Sequence, residues 1–258
     1  MRTGDSMKEF LKQIKFDQTI LDALDEADPI VLDTLKRLQL LYDKYQEHHL
    51  SQSFFIASIY DIKRRLNVNY QKHQKLILFE KEMKWVNMIL DFKIFKIGSL
   101  RFQVFPMDYK EIERTGNDAM PLSDAIKKNF YEGRPLINVH IEKDTDLSEQ
   151  AVRDSFHQAV EFFKTVFKSV KFEGFVTRTW LIYPGVVKLL DKDSNISKFA
   201  RQFEIIASNQ ATYQALQRVY GTEDLKHIEV KDKKTSLEKL IYKNLDKCGV
   251  GFGYRPFT

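Results

Sequence analysis

The sequence predicts an α/β (α+β) fold, a mixed sheet flanked by helices, preceded by a helical N-terminal domain. Three observations predict it. Residues 1–90 carry apolar side chains at three- and four-residue spacing, the period of helices buried on one face. Near residue 92 the pattern changes to alternation, the period of a strand. From Pro135 onward strand, long helix, strand, short helix and further strands follow one another, an order that gives parallel neighbours at the centre of a sheet. The expected division is a helical domain over 1–133, ending in one or two strands, and an α/β domain over 134–258.

In the helical block, "ADPIVLDTLKRLQLLYDKYQEHH" places Asp28 as N-cap and Pro29 at the first helical position, where its missing N–H costs nothing. Val31, Leu35, Leu38, Leu41 and Tyr45 then mark the buried face. "SQSFFIASIYDIKRRLN" opens on a serine cap and continues through Phe55, Ile59 and Ile62. "YQKHQKLILFEKEMKWVNMIL" gives a further helix through Phe79, Met83 and Val86, with a middle open to another reading. "FKIFKIGSLRFQVFPMD" reads as one or two strands turning at Gly98-Ser99 and stopped by Pro106. The polar segment after it is connector, with a short helix within Ser123 to Tyr131.

"LINVHIE" is a strand of branched apolar residues. "DLSEQAVRDSFHQAVEFFKTVF" is a long amphipathic helix, with Asp146 and Glu149 spaced as a capping box. "FEGFVTRTWLIYPG" is a second strand ended by Pro184-Gly185, and "VVKLL" a short helix. "QFEIIAS", "SLEKLIYKNL" and "GVGFGYRPF" give a strand, a helix and a final strand. Gly249, Gly251 and Gly253 alternate, leaving one face of that strand bare for a backbone or ring to lie against.

Composition narrows the function. With 43% hydrophobic and 30% charged residues the chain is an ordinary globular protein. It holds no apolar run long enough for a membrane helix and no signal peptide, so a cytoplasmic location without membrane attachment is expected. The net charge of +5 is spread over scattered lysines, so nucleic acid is an unlikely partner. The single Cys248 excludes an internal disulfide and a cysteine zinc site, and reads as a structural thiol. His48 and His49 are adjacent, about 100° apart on a helix, and with His73 they read as surface residues; no metal is expected.

"INVHI", "AVRDSFHQAVEFF" and "TRTWLIYPGVVKLLDKDSNISKFARQF" together resemble bacterial acyltransferase-domain proteins that pair a helical N-acyltransferase-like N-terminal domain with a GNAT-like C-terminal domain. The resemblance covers residues 134 to 258 and rests more thinly, on element order and "GSLRFQVF", before them. It implies a GNAT-like fold in which acyl-CoA or acetyl-CoA, as co-substrate, sits in the splay between two central parallel strands while an amine attacks the thioester. "LINVHIE" would be the strand before the pyrophosphate loop. The helix opening at Ser148 and Glu149 would receive the phosphates. Tyr183 would lie where such enzymes keep a general acid for the leaving thiolate.

The loop itself departs from that pattern. "IEKDTDLSEQ" has no glycine, and Glu142, Asp144, Asp146 and Glu149 face a single Lys143. A catalytically silent GNAT-like module, binding a small ligand or a protein partner, is therefore the alternative to a small-molecule acyltransferase.

The remaining candidates lie at the carboxyl ends of the central strands, where ligands of such sheets bind. His140 is a candidate base or a buried, hydrogen-bonded histidine. Arg178, Thr179 and Trp180 are candidates for substrate contact, with core packing the plainer reading of the tryptophan. Asp193, Ser194 and Asn195 are either a helix cap or part of a site rim.

Overall fold

The computed structural model describes residues 4–114, 119–222, 224–228 and 234–257. Two compact units divide the chain, Met1–Ile97 and Gly98–Thr258; the change read from sequence lies at residue 133/134.

The first unit contains α1 (Gly4–Gln13), α2 (Gln18–Asp22), α3 (Pro29–Glu47), α4 (Gln52–His73), α5 (Glu80–Leu90) and the strand β1 (Ile94–Ile97). Both expected caps are present: Asp28 accepts from the N–H of Ile30 and Ser51 from that of Phe54. The ambiguous segment between them and β1 is not one helix. Gln74, in the left-handed region at φ 54°, closes α4, and the chain runs irregularly, burying Leu76 and Leu78, until Glu82 accepts from the N–H of Phe79 to open α5. Beneath these helices Asp61, held by Arg64 and Arg65, and Glu82, held by Arg65 and Asn69, form a polar network linking α4 to α5.

The second unit contains β2 (Leu100–Pro106), α6 (Tyr109–Glu113), α7 (Asp124–Asn129), β3 (Pro135–His140), α8 (Glu149–Val166), β4 (Gly174–Thr179), α9 (Pro184–Val187), α10 (Asn195–Ala200), β5 (Glu204–Gln210), α11 (Tyr213–Tyr220), α12 (Ser236–Lys243) and β6 (Gly249–Pro256). Its strands run β2-β3-β4-β6-β5. β3 and β4 are the parallel pair, and the other neighbours are antiparallel.

One face of this sheet is covered by α8. Phe156 meets Phe102 and Phe175 edge-on, with ring centroids 5.7 and 5.0 Å apart. Gly98 lies where an added Cβ would stand 2.4 Å from the Ser155 hydroxyl of α8, and that hydroxyl takes the N–H of Ser99 at 2.8 Å. The other face is covered by the segment read as polar connector. Met107, Ile112, Met120, Leu122 and Phe130 bury themselves there against Phe105, Leu136, Val176 and Phe252.

Two expected boundaries move. α8 is capped by Ser148, which accepts from Ala151, while Asp146 accepts from Ser148 itself, so the capping box at Asp146 is replaced by a turn that ends one residue before the helix. The strand expected to run through Trp180 stops at Thr179, and Trp180–Ile182 form a 3₁₀ turn. The reason lies on β6. An added Cβ at Gly251 or Gly253 would meet Ile182 at 2.9 or 2.7 Å, and one at Gly249 would meet the Tyr183 ring at 2.4 Å. The alternating glycines make room for the chain to fold back across β6.

Candidate functional site

The parallel pair is where the sheet opens. β3 and β4 are in register at Leu136–Gly174, Ile137–Phe175 and Asn138–Val176, and no further. Beyond that point β3 stays with β2 as far as Arg101–His140, and β4 stays with β6 as far as Thr179–Gly251. Between the diverging ends the Thr177 hydroxyl donates to the Val139 carbonyl at 2.9 Å, satisfying a buried acceptor that the ladder no longer pairs.

α8 begins at this open end. The expected phosphate-facing residues Ser148 and Glu149 are its cap and first residue. Asp144 adopts φ 62°, the left-handed conformation that glycine supplies more readily, so the turn is made without one. Of the loop's carboxylates, Glu142 accepts from Arg101 Nε at 2.6 Å, Asp146 from the Ser148 N–H at 2.8 Å, and Glu149 lies 3.8 Å from Lys198 of α10. The Ser148 N–H holds the Asp146 carboxyl below its ordinary range.

On the face away from α8 a row of polar side chains runs to the same end. Arg101 and Gln103 alternate along β2, opposite His140 and Asn138 of β3. Gln103 Oε1 lies 2.7 Å from His140 Nε2 and accepts from Asn138 Nδ2 at 3.4 Å. Arg101 is fully buried. Burial and then the Arg101 and Arg218 guanidiniums push the half-buried imidazole down to about 4, against the opposing pull of Glu142. The ring is therefore neutral at physiological pH. Arg178 of β4 shares this face, because its ladder partner is Phe252.

The other candidates are distributed differently. Thr179 accepts from the Leu181 N–H and so caps the 3₁₀ turn. Trp180 is 5% exposed and packs with Val186, Ala215, Ile241 and Cys248, its backbone N–H donating to Gln214 of α11. Ser194 caps α10, accepting from the Ser197 N–H, with exposed Asp193 before it and Asn195 opening the helix. The Tyr183 ring is wedged between Gly185 and Gly249, and its hydroxyl has no hydrogen-bond partner among the described residues. Burial pushes the Cys248 thiol up to about 11, which suits a structural role.

The candidate residues thus fall on two sides of one sheet. His140 and Arg178 lie opposite α8, while Tyr183 lies over the β6 glycines on the α8 side, with Ser148 opening that helix. Arg101, Gln103, Asn138, Gln214 and Arg218 were not among the sequence candidates. The signal for two of them was present, since an arginine and a glutamine alternate inside "SLRFQVF".

Comparison with known proteins bears on the fold. Residues 94–253 match the family model described as the GNAT-like C-terminal domain. An acyltransferase in complex with decanoyl-CoA and teicoplanin superposes with a TM-score of 0.66 at 16% identity, over 87% of this chain and 65% of that one. The chain therefore spans just under two thirds of that protein's length. A mutant acyltransferase in complex with octanoyl-CoA superposes with a TM-score of 0.70 at 14% identity, over 99% of this chain and 89% of that one. At such identities the likeness is one of fold, and it bears out the GNAT-like architecture. No curated protein matches the sequence.

Proposed function

The chain belongs to the GNAT-like C-terminal domain family, and on that footing we propose that it is an acyl-CoA-dependent N-acyltransferase of an unidentified amine. The observation that carries the reading is the parallel pair that parts after Asn138 and Val176, with the N-terminus of an 18-residue helix at the opening.

In this reading the two faces divide the work. The donor enters from the α8 side, its pyrophosphate at the N–H groups that open α8, where the helix dipole favours negative charge. Of the loop's carboxylates Glu142 is turned to Arg101 and Glu149 lies by Lys198, while Asp146 holds the Ser148 N–H and would have to yield it to the phosphate. The thioester lies in the gap between β3 and β4, and the amine reaches it from the opposite face. His140 takes the proton that the nitrogen loses as it bonds to the carbonyl carbon. Tyr183, on the donor side, gives a proton to the sulfur as the carbon–sulfur bond breaks, and solvent returns both groups to their starting state. Arg178 borders the acceptor side. Medium-chain acyl-CoAs stand beside acetyl-CoA as candidate donors, since the similar structures are complexes with decanoyl- and octanoyl-CoA. A location in the cytoplasm accords with this chemistry; among the described residues no helix is long and apolar enough to cross a membrane.

The test is isothermal titration with acetyl-, octanoyl- and decanoyl-CoA and with free CoA, followed by thiol release in the presence of a panel of amines. Saturable binding of an acyl-CoA and amine-dependent thiol release are expected. Absence of binding by every donor at millimolar concentration overturns the reading in favour of a silent binding module.

A further inference from the structure

Where β3 and β4 part, a side chain stands in for the ladder. The pair that would follow Asn138–Val176 in the parallel register is Val139 with Thr177, and the ladder does not reach it. Each of these residues is held from its outer side, Val139 by Phe102 of β2 and Thr177 by Gly253 of β6. The opening therefore lies between two antiparallel ladders, each of which keeps its own backbone in place.

Across the opening the Thr177 hydroxyl donates to the Val139 carbonyl at 2.9 Å. The direction of the bond is fixed, because a hydroxyl has one proton and a carbonyl only accepts. Both residues are buried. Without the bond the carbonyl would be a desolvated acceptor left unmet, which favours closing the ladder by one more pair or drawing water into the gap. A side chain reaches farther than a backbone N–H, and so holds the carbonyl while the backbones diverge. β-Branching restricts χ1 and confines the hydroxyl to that task. Valine has the same shape without the donor.

We propose that Thr177 is a positioning residue for the acyl donor: its bond to Val139 fixes where β3 and β4 part and so where the thioester rests between them, a role that depends on the acyltransferase reading. The hydroxyl proton is committed to Val139, so Thr177 acts through the backbone and not on the substrate.

The experiment separates the bond from its use. Val139-His140 is the only Val-His step in the sequence, so protein labelled with ¹³C-carbonyl valine and ¹⁵N-histidine gives one carbonyl–amide correlation, which reports the bond without any ligand. In Thr177→Val this carbonyl resonance is expected to move upfield, as a carbonyl does on losing a donor, and in Thr177→Ser to stay near its wild-type position. Titration with octanoyl-CoA is expected to show affinity about tenfold weaker in Thr177→Val, the equivalent of one satisfied hydrogen bond, with most of the loss recovered in Thr177→Ser. Should the valine variant not fold, Thr177→Ala beside Thr177→Ser asks the same of the hydroxyl in a smaller pair. An unmoved carbonyl in Thr177→Val overturns the proposal, as does wild-type affinity once the carbonyl has moved, or a serine variant that binds as weakly as the alanine one. If the carbonyl moves as expected while the wild-type protein binds no acyl-CoA, it is the acyltransferase reading that falls, and the tie between the strands stands.

Discussion

The two faces of the β2–β6 sheet are built for different ends. Under α8 the sheet is filled with rings, Phe102, Phe156, Phe175 and Phe203, and with glycines that admit Ile182 and Tyr183. On the opposite face the same strands carry Arg101, Gln103, Asn138, His140 and Arg178 toward their open end, and become apolar only further along, at Phe105, Leu136 and Val176. Apolar packing supplies most of a domain's stability, whereas a satisfied buried hydrogen bond adds only about 0.5–1.5 kcal/mol net. The comparison therefore separates a face that holds the unit together from one that can act.

The largest effect should come from the packed face. Phe156→Ala removes a ring wedged among three others and is expected to destabilise by about 3–5 kcal/mol; a denaturant midpoint close to wild type would break the comparison. Gly249→Ala sets a methyl group 2.4 Å from the Tyr183 ring and 2.5 Å from the Asn209 carbonyl, with an expected loss of about 1–3 kcal/mol. On the polar face Asn138→Leu should leave stability within about 1 kcal/mol of wild type, since Gln103 keeps its bond to His140. Acyl transfer should fall in the same variant, because Asn138 stands at the last pair before β3 and β4 part, and a variant equal in both respects would dissolve the distinction.

A pH series sharpens it further. The pKa of His140 lies at about 4 in the folded chain against an ordinary 6.5, so the unfolded chain binds its proton first as pH falls. The ring costs nothing above 6.5 and opposes folding increasingly from there down to about 4. His140→Asn should remove that part of the pH dependence of the unfolding free energy; an unchanged slope would contradict the assignment. The smallest effect belongs to the loop. Asp144→Gly relieves a left-handed backbone at φ 62° and should stabilise by up to about 1 kcal/mol, read as a small rise in Tm.

Local signals made much of the fold legible. Asp28 and Ser51 announce their helices because capping is chemistry within a few residues, and the glycine alternation of β6 announced close packing because no other residue allows it. The resemblance supplied the family. The polar face was not legible, because alternation along β2 says which residues share a side and not which side is buried. Nothing in "SLRFQVF" marks Arg101 as buried, and the well-spaced apolar residues Met107, Ile112, Met120, Leu122 and Phe130, in a segment polar overall, cover that face only further along, at Phe105, Leu136 and Val176. α11, which brings Gln214 and Arg218 to the end of β4, was missed because "TYQALQRVY" is short and its one face, Ala215 and Leu216, is narrow. Trp180 left the strand for a reason written on another strand.

The central claim is that the parting of β3 and β4 is the donor site, and amide hydrogen exchange with and without octanoyl-CoA tests it most directly. The account predicts slowed exchange confined to the ends of β3 and β4 and to the first turn of α8. Slowing elsewhere in the second unit, with those segments unchanged under saturating ligand, would contradict it.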